Sequence, residues 1–415
     1  MNFKRWIFII LLGLWLAACS ADPQLPDSGQ VDENPLPSST YTPESSATLP
    51  DPSETPSPTA TQAPSPTPTL SYPLEGYGPV NFPDNVNPLT GLEVPDPEVL
   101  QRRPLAVKVN IVPRDNYRPP WGLSFADIIY EYYQNNGMTR FHTIFLSQDA
   151  PLVGPIRSAR MPDGPLVRMY KSIFAYSGAD GNIDITLRNS NFGDRLARDR
   201  GPTTECPATV AVPLCRYDPT GENFLLAGTR EVHENMVNRG VDDVAQYLDG
   251  MFFQMQTPDN GLPAETVIMR FSRGSYNLWE YDPETGRYLR FQDSVSLTDG
   301  QEEEFEPLLD RLTDEQLAFD NLVVLYIPYE YLRREPSEII TIDLVGEGKA
   351  YAFRDGLIYE LVWKHPIMDS IMILEFENGD PYPFKPGTTW FHVFGMYSDL
   401  TQLEEATWKF RFGFP

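Results

Sequence analysis

The chain is 415 residues long and carries a formal charge of -26, with 58 acidic against 32 basic side chains. That balance argues against nucleic-acid binding, because phosphate contacts need a basic surface that releases counterions. Any anion site must therefore be local.

The N-terminus reads MNFKRWIFIILLGLWLAACS, with Lys4 and Arg5 ahead of an apolar run from Trp6 to Ala18 and then Cys19. This is the pattern of an export signal. A retained membrane helix competes with it, but the run is shorter than the roughly 20 residues a span needs. Leu16, Ala17, Ala18 and Cys19 resemble the lipobox of bacterial lipoproteins, in which the cysteine receives a lipid and becomes the mature N-terminus. The expectation is a signal peptide over 1–18, lipidation of Cys19, and a location on the extracytoplasmic face of the cell membrane, anchored by that lipid.

Residues 19–80 are rich in Pro, Ser and Thr, with the run PSETPSPTATQAPSPTPT, and from Ser20 onward they lack Lys and Arg. Such a segment has too little apolar surface to offset chain entropy, and its prolines favour extended conformations. It is expected to be a disordered tether, reaching on the order of 100 Å at about 3.1 Å per residue. An idle leader is the competing reading.

The remainder suits two domains, 81–262 and 263–415. In LAVKVNI (105–111) Leu105, Val107, Val109 and Ile111 alternate with Lys108 and Asn110, predicting a half-buried strand. ADIIYEYY and TRFHTIFLS read the same way, and NNG (135–137) between them predicts a hairpin. PLVRMYKSIFAYSG predicts a helix running into a strand, and VDDVAQYLDGMF from 241 predicts a helix. Beyond Leu262 come short aromatic and β-branched runs, among them TVIMRF, YNLWEY, NLVVLYI, LIYELVW and TWFHVF, separated by turn signals such as DPETG and NGD. EEEFEPLLDRLTDEQLA predicts the one helix among them. The fold class is α+β: a mixed α/β first domain followed by a mainly antiparallel, β-rich second domain.

With Cys19 assigned to the lipid, Cys206 and Cys215 are the pair that an oxidising exterior could bridge; both could instead stay reduced. His142, His233, His365 and His392 are scattered without zinc-site spacing. HENMV (233–237) lacks the second histidine of a metalloprotease helix. Asp180, Asn182 and Asp184 begin like a calcium loop, but Ile185 stands where the turn glycine belongs and Asn191 where the bidentate Glu belongs. No G-x-S-x-G elbow, P-loop or dinucleotide fingerprint occurs. No metal and no cofactor is expected.

Several stretches together resemble the YerB-like lipoprotein family: NPLTGL (87–92), RRPLAVKVN (102–110), LSFADIIYE (123–131), GMTRF (137–141) and VGPIRSAR (153–160). NLVVL, GEGKAYAFRDG and PGTTW match more loosely in the second half. The resemblance implies an envelope protein with a two-part folded region and no established activity. The family usually carries a Pro-His-Asn step in the middle of the first domain; here GENFLLAGT has Asn223 with no histidine before it, which puts a histidine-dependent reaction in doubt.

Asn110, Asp127, Glu131, Arg140, Arg157 and Arg160 each sit in a matched stretch and form the candidate ligand-binding set. Arg157 and Arg160 could be structural clamps on Asp127 and Glu131. Alternatively, the arginines exceed the acids and hold an anionic glycan, a lipid phosphate or a peptide. A third reading follows a resemblance in outline to LytR-type glycan transferases, in which Asp127 with Arg140, Arg157 and Arg160 would stabilise a migrating phosphoryl group. The first two readings need no catalysis, and an accessory or binding protein of the cell envelope is the expectation.

Overall fold

The computed structural model describes residues 72–198, 204–218 and 224–414. Cys19, the signal and the tether up to residue 71 lie outside the described residues. Strands predominate, at 39% against 12% helix, so the fold is mostly β with a few helices.

Its centre is the hairpin that NNG foreshadows. β2 (Ile128–Asn135) and β3 (Met138–Phe145) pair antiparallel around Asn136 and Gly137. Both turn residues have positive φ, 50° and 75°, which is the backbone a two-residue hairpin loop of matching twist requires and which Asn-Gly tolerates. β1 (Leu105–Val109) adds antiparallel to β3, placing Lys108 opposite His142. The helix Asp163–Tyr170 then leads into β4 (Ile173–Tyr176), parallel to β1, and β5 (Leu196–Arg198) lies parallel to β4.

The second half builds onto this sheet rather than beside it. Thr389–Gly395 inserts between β2 and Asn321–Ile327, parallel to both. Gly346–Arg354, Leu357–His365 and Ile373–Glu375 extend it antiparallel to an eleven-stranded sheet that crosses residue 262. A seven-stranded sheet holds Arg287–Asp293, Tyr276–Asp282, Thr266–Arg270, Thr407–Arg411 and their edges. Its Thr407–Arg411 strand is parallel to Thr266–Arg270 and antiparallel to Asp399–Glu404. One apolar core joins Ile128 and Phe141 of the first half to Trp279, Trp390 and Phe410 of the second.

Three sequence expectations need correction. β1 is buried on both faces, Lys108 included, because the chain from Ile156 to the helix at Asp163 covers its polar side. The segment 241–250 is not helical; tertiary bonds hold it open, with Asp243 accepting from the Arg103 backbone at 2.8 Å and lying 3.0 Å from His233 Nδ1. EEEFEPLLDRLTDEQLA also forms no helix. Pro307 would break one, and Phe305–Pro307 instead joins the sheet edge while buried Asp310 accepts from Gly122 N and Ser124 N at 2.9 and 2.8 Å.

Residues 72–80, assigned by composition to the tether, include Tyr77, which exchanges backbone hydrogen bonds with Phe253 at 2.9 and 2.8 Å. Cys206 and Cys215 are bonded, Cα to Cα 5.0 Å. Among the described residues no helix is long and apolar enough to cross a membrane.

Candidate functional site

Strand register places the polar groups. Lys108 on β1 faces His142 on β3, and Arg140, two residues earlier on β3, pairs with Tyr132 on β2, so the four side chains share one face. VGPIRSAR crosses the end of that face. The backbone bonds Arg157 N to Lys108 O at 2.9 Å, Asn110 N to Pro155 O at 3.0 Å and Ala159 N to Gly178 O at 2.8 Å fix it between the ends of β1 and β4.

Asp163, the first residue of the following helix, drops into the middle. Its Oδ1 accepts from Lys108 Nζ at 3.1 Å, from the Tyr132 hydroxyl at 2.7 Å and from His142 Nδ1 at 2.9 Å, while Oδ2 accepts from Arg160 N at 2.6 Å. Lys108 also donates to the Tyr132 hydroxyl. Burial alone would raise the Asp163 carboxyl, but Lys108 and His142 outweigh it and hold the group well below the usual carboxylate range. Burial pushes Lys108 down to about 7 even so, with Arg140 and Arg160 adding to the shift.

Around this centre the positive charge is in excess. Arg140 is 6% exposed; its Nη1 donates to Ser158 O at 2.5 Å, and its Nε is buried without a partner. Arg160 Nη1 reaches the same Ser158 O at 3.3 Å and Ala159 O at 3.0 Å. Neither arginine makes an ion pair among the described residues. Burial, then repulsion from Arg160 and Arg157, brings Arg140 down to about 9. The Arg157 guanidinium lies 5.4 Å from the Tyr117 ring centre.

The other candidate residues do not converge here. Asn110 donates through Nδ2 to Val112 O. Asp127 lies near the far end of the hairpin, five residues before Tyr132 and so roughly 17 Å away along the strand. There it accepts from Asn87 Nδ2 at 2.9 Å, Leu146 N at 2.5 Å and Ser147 N at 3.1 Å. Burial raises its carboxyl despite those bonds.

Glu131 points to the opposite face of the sheet from Tyr132. It accepts from Arg290 Nη2 at 3.0 Å and Thr139 Oγ1 at 2.9 Å, and His392 Nδ1 stands 3.3 Å away. Trp279 donates to His392 Nε2 at 3.0 Å, which assigns the ring proton to Nδ1. Arg157 and Arg160 are therefore not seen clamping Asp127 and Glu131, and Asp127 is not placed to share a phosphoryl group with the arginines. The carboxylate at the cluster is Asp163. Alternation marks Lys108 as a solvent-facing residue and nothing local marks Asp163, so the sequence alone points to neither.

Among the described residues no group of three or more His, Cys, Asp or Glu side chains stands close enough to hold a metal ion.

A mostly-β molecule whose two sequence halves share one mixed sheet, with a cationic face on its first half, is the class of protein that these observations define. The first half matches, over residues 89–241, the N-terminal domain of the family described as Protein of unknown function (DUF3048), and residues 267–391 match its C-terminal domain. The chain belongs to the DUF3048 family. It is 28% identical over 311 residues to YerB of Bacillus subtilis (strain 168), a protein whose name carries the word lipoprotein; the match covers 74% of this chain and 85% of YerB. A crystal structure of the YerB protein from Bacillus subtilis aligns with a TM-score of 0.58 at 25% identity, over 74% of this chain and 96% of that one.

Proposed function

We propose that this chain is a lipid-anchored, extracytoplasmic accessory protein of the cell envelope that binds an anionic group at Lys108, Arg140, Arg157 and Arg160. The anchor rests on the LAAC stretch ending at Cys19 and on the lipoprotein name of the relative. The anion site rests on one observation above all: Arg140 and Arg160 converge on Ser158 O without an ion pair of their own, beside a carboxylate that Lys108, Tyr132 and His142 already occupy. A buried cation without a counter-charge is unfavourable unless a ligand supplies one. An anionic glycan, a lipid phosphate or a peptide carboxylate would each do so.

The test is calorimetric titration of the full chain in detergent with uronate, phosphate and polyprenyl phosphate. At least one should bind, and Arg140→Gln or Arg160→Gln should weaken it by about 1.5 to 3 kcal/mol, typical of a lost charge-assisted hydrogen bond. If the parent binds none of the three, the anion site is refuted. For the anchor, Cys19→Ala should release the protein from the membrane fraction or leave its signal uncleaved; recovery of lipid-modified protein from that variant would refute it.

A further inference from the structure

The helix Asp163–Tyr170 has the cationic face at its start and a separate basic cleft at its end, roughly 12 Å away. The cleft encloses about 320 Å³ and is lined by Arg103, Arg168, Lys171, Arg195, Asp242 and Asp369, among others. Its ordinary surface pairs are complete. Arg168 donates through Nε and Nη2 to the two oxygens of Asp369, both at 3.0 Å. Arg103 donates to Asp242 O and to Lys171 O and lies 3.8 Å from the Asp242 carboxylate. Lys171 Nζ donates to Tyr247 O at 2.8 Å.

Arg195 differs. It is 9% exposed, makes no ion pair among the described residues, and keeps Nη1 buried with no hydrogen-bond partner. Its nearest aromatic support is the Phe192 ring, 5.8 Å away. Burial, with Arg103 adding to it, pulls the guanidinium down to about 10 despite Asp194 and Asp369.

We infer that this cleft is a second binding site, for the free carboxylate of a small amino acid or peptide terminus, with Arg195 as its anchor. Three features select that chemistry. A planar guanidinium with an unpartnered Nη1 matches a carboxylate edge to edge. The carboxylates of Asp194, Asp242 and Asp369 at the rim oppose a multiply charged anion but tolerate a single charge, and would favour a ligand that also carries an ammonium group. The volume suits one or two residues rather than a polymer. The site is independent of the Arg140 cluster and does not rest on its reading.

The experiment compares N-acetyl-alanyl-alanine with its C-terminal amide, and inorganic phosphate, by calorimetry on the full chain. The acid should bind, the amide should bind about tenfold or more weakly, and phosphate should bind no better than the acid. Arg195→Gln should weaken the acid to the level of the amide, whereas Arg140→Gln should leave it unchanged. Equal binding of acid and amide overturns the proposal without needing any variant. So does tighter binding of phosphate, absence of binding by the parent chain, or an Arg195→Gln protein that binds like the parent.

Discussion

Glu131 and Tyr132 are neighbours on one strand, yet they face two different kinds of polar interior. On the Glu131 side each charge is answered: the carboxylate meets Arg290, and that guanidinium lies 4.9 and 4.6 Å from the ring centres of Trp279 and Trp390. On the Tyr132 side Lys108, Arg140 and Arg160 stand about one buried carboxylate, Asp163, with the surface carboxylate of Asp180 also acting on Arg160. Both are buried, so burial alone does not distinguish a structural network from a site. The balance of charge differs between them. A closed pair fixes the contact between the sheets, while an excess of one sign is the feature on which the proposed anion site rests.

The sharpest way to break this contrast is to unbalance the closed side. Glu131→Gln leaves Arg290 buried without its counter-charge, and should cost about 3 to 5 kcal/mol of stability. Urea denaturation of the full chain measures it. A loss below 1 kcal/mol would mean that the Glu131 network does not hold the two sheets together.

The response to acid tests the same network. Burial lowers His392 to about 4, although Glu131 opposes the shift, and Glu131 itself is held at about 2 by Arg290 against the pull of burial. Both folded values lie below their unfolded ones, so the unfolded chain binds more protons. The associated stability is present above about pH 6.5 and is lost as the pH falls, first through His392 between about 6.5 and 4 and then through Glu131 between about 4.3 and 2. Each proton contributes about 1.4 kcal/mol per pH unit within its window. Lys108 has the same sign in a different window: lowered to about 7, it makes the fold less stable as the pH falls from about 10.4 to 7. A bound anion should flatten that second slope and leave the acid limb untouched. Thermal unfolding across pH, with and without phosphate, separates the two faces.

Much of the scaffold was legible in the sequence because it is local. Asn136-Gly137 announces its hairpin, and the turn into the helix Asp163–Tyr170 and on to Ile173–Tyr176 follows from a short amphipathic run. What escaped is long-range. Nothing near Thr389 says that it will lie between Asn321–Ile327 and β2, and the 241–250 segment reads as a helix until Arg103 and His233 claim Asp243. The candidate site divides the same way. Arg140, Arg157 and Arg160 stand out as charge in an acidic chain, but the carboxylates that the matched stretches offer them, Asp127 and Glu131, lie elsewhere in the fold. Asp163 needed the fold to bring a helix start under β1.

The smallest expected effect is the most discriminating. Arg140→Met removes a buried cation that has no carboxylate partner and that repels Arg160 and Arg157, and it replaces the guanidinium with an apolar side chain of adaptable shape. A buried ion that belongs to a closed pair cannot be removed so cheaply. Replacing one that stands in excess should change stability by no more than about 1 kcal/mol, and should raise it if repulsion exceeds the lost bond to Ser158 O. Arg290→Met, the same substitution on the opposite face, abandons Glu131 and should cost several times more. Chemical denaturation of the two variants side by side tests the distinction directly. If Arg140→Met destabilises the chain as much as Arg290→Met does, Arg140 is part of the scaffold and the proposed anion site loses its support.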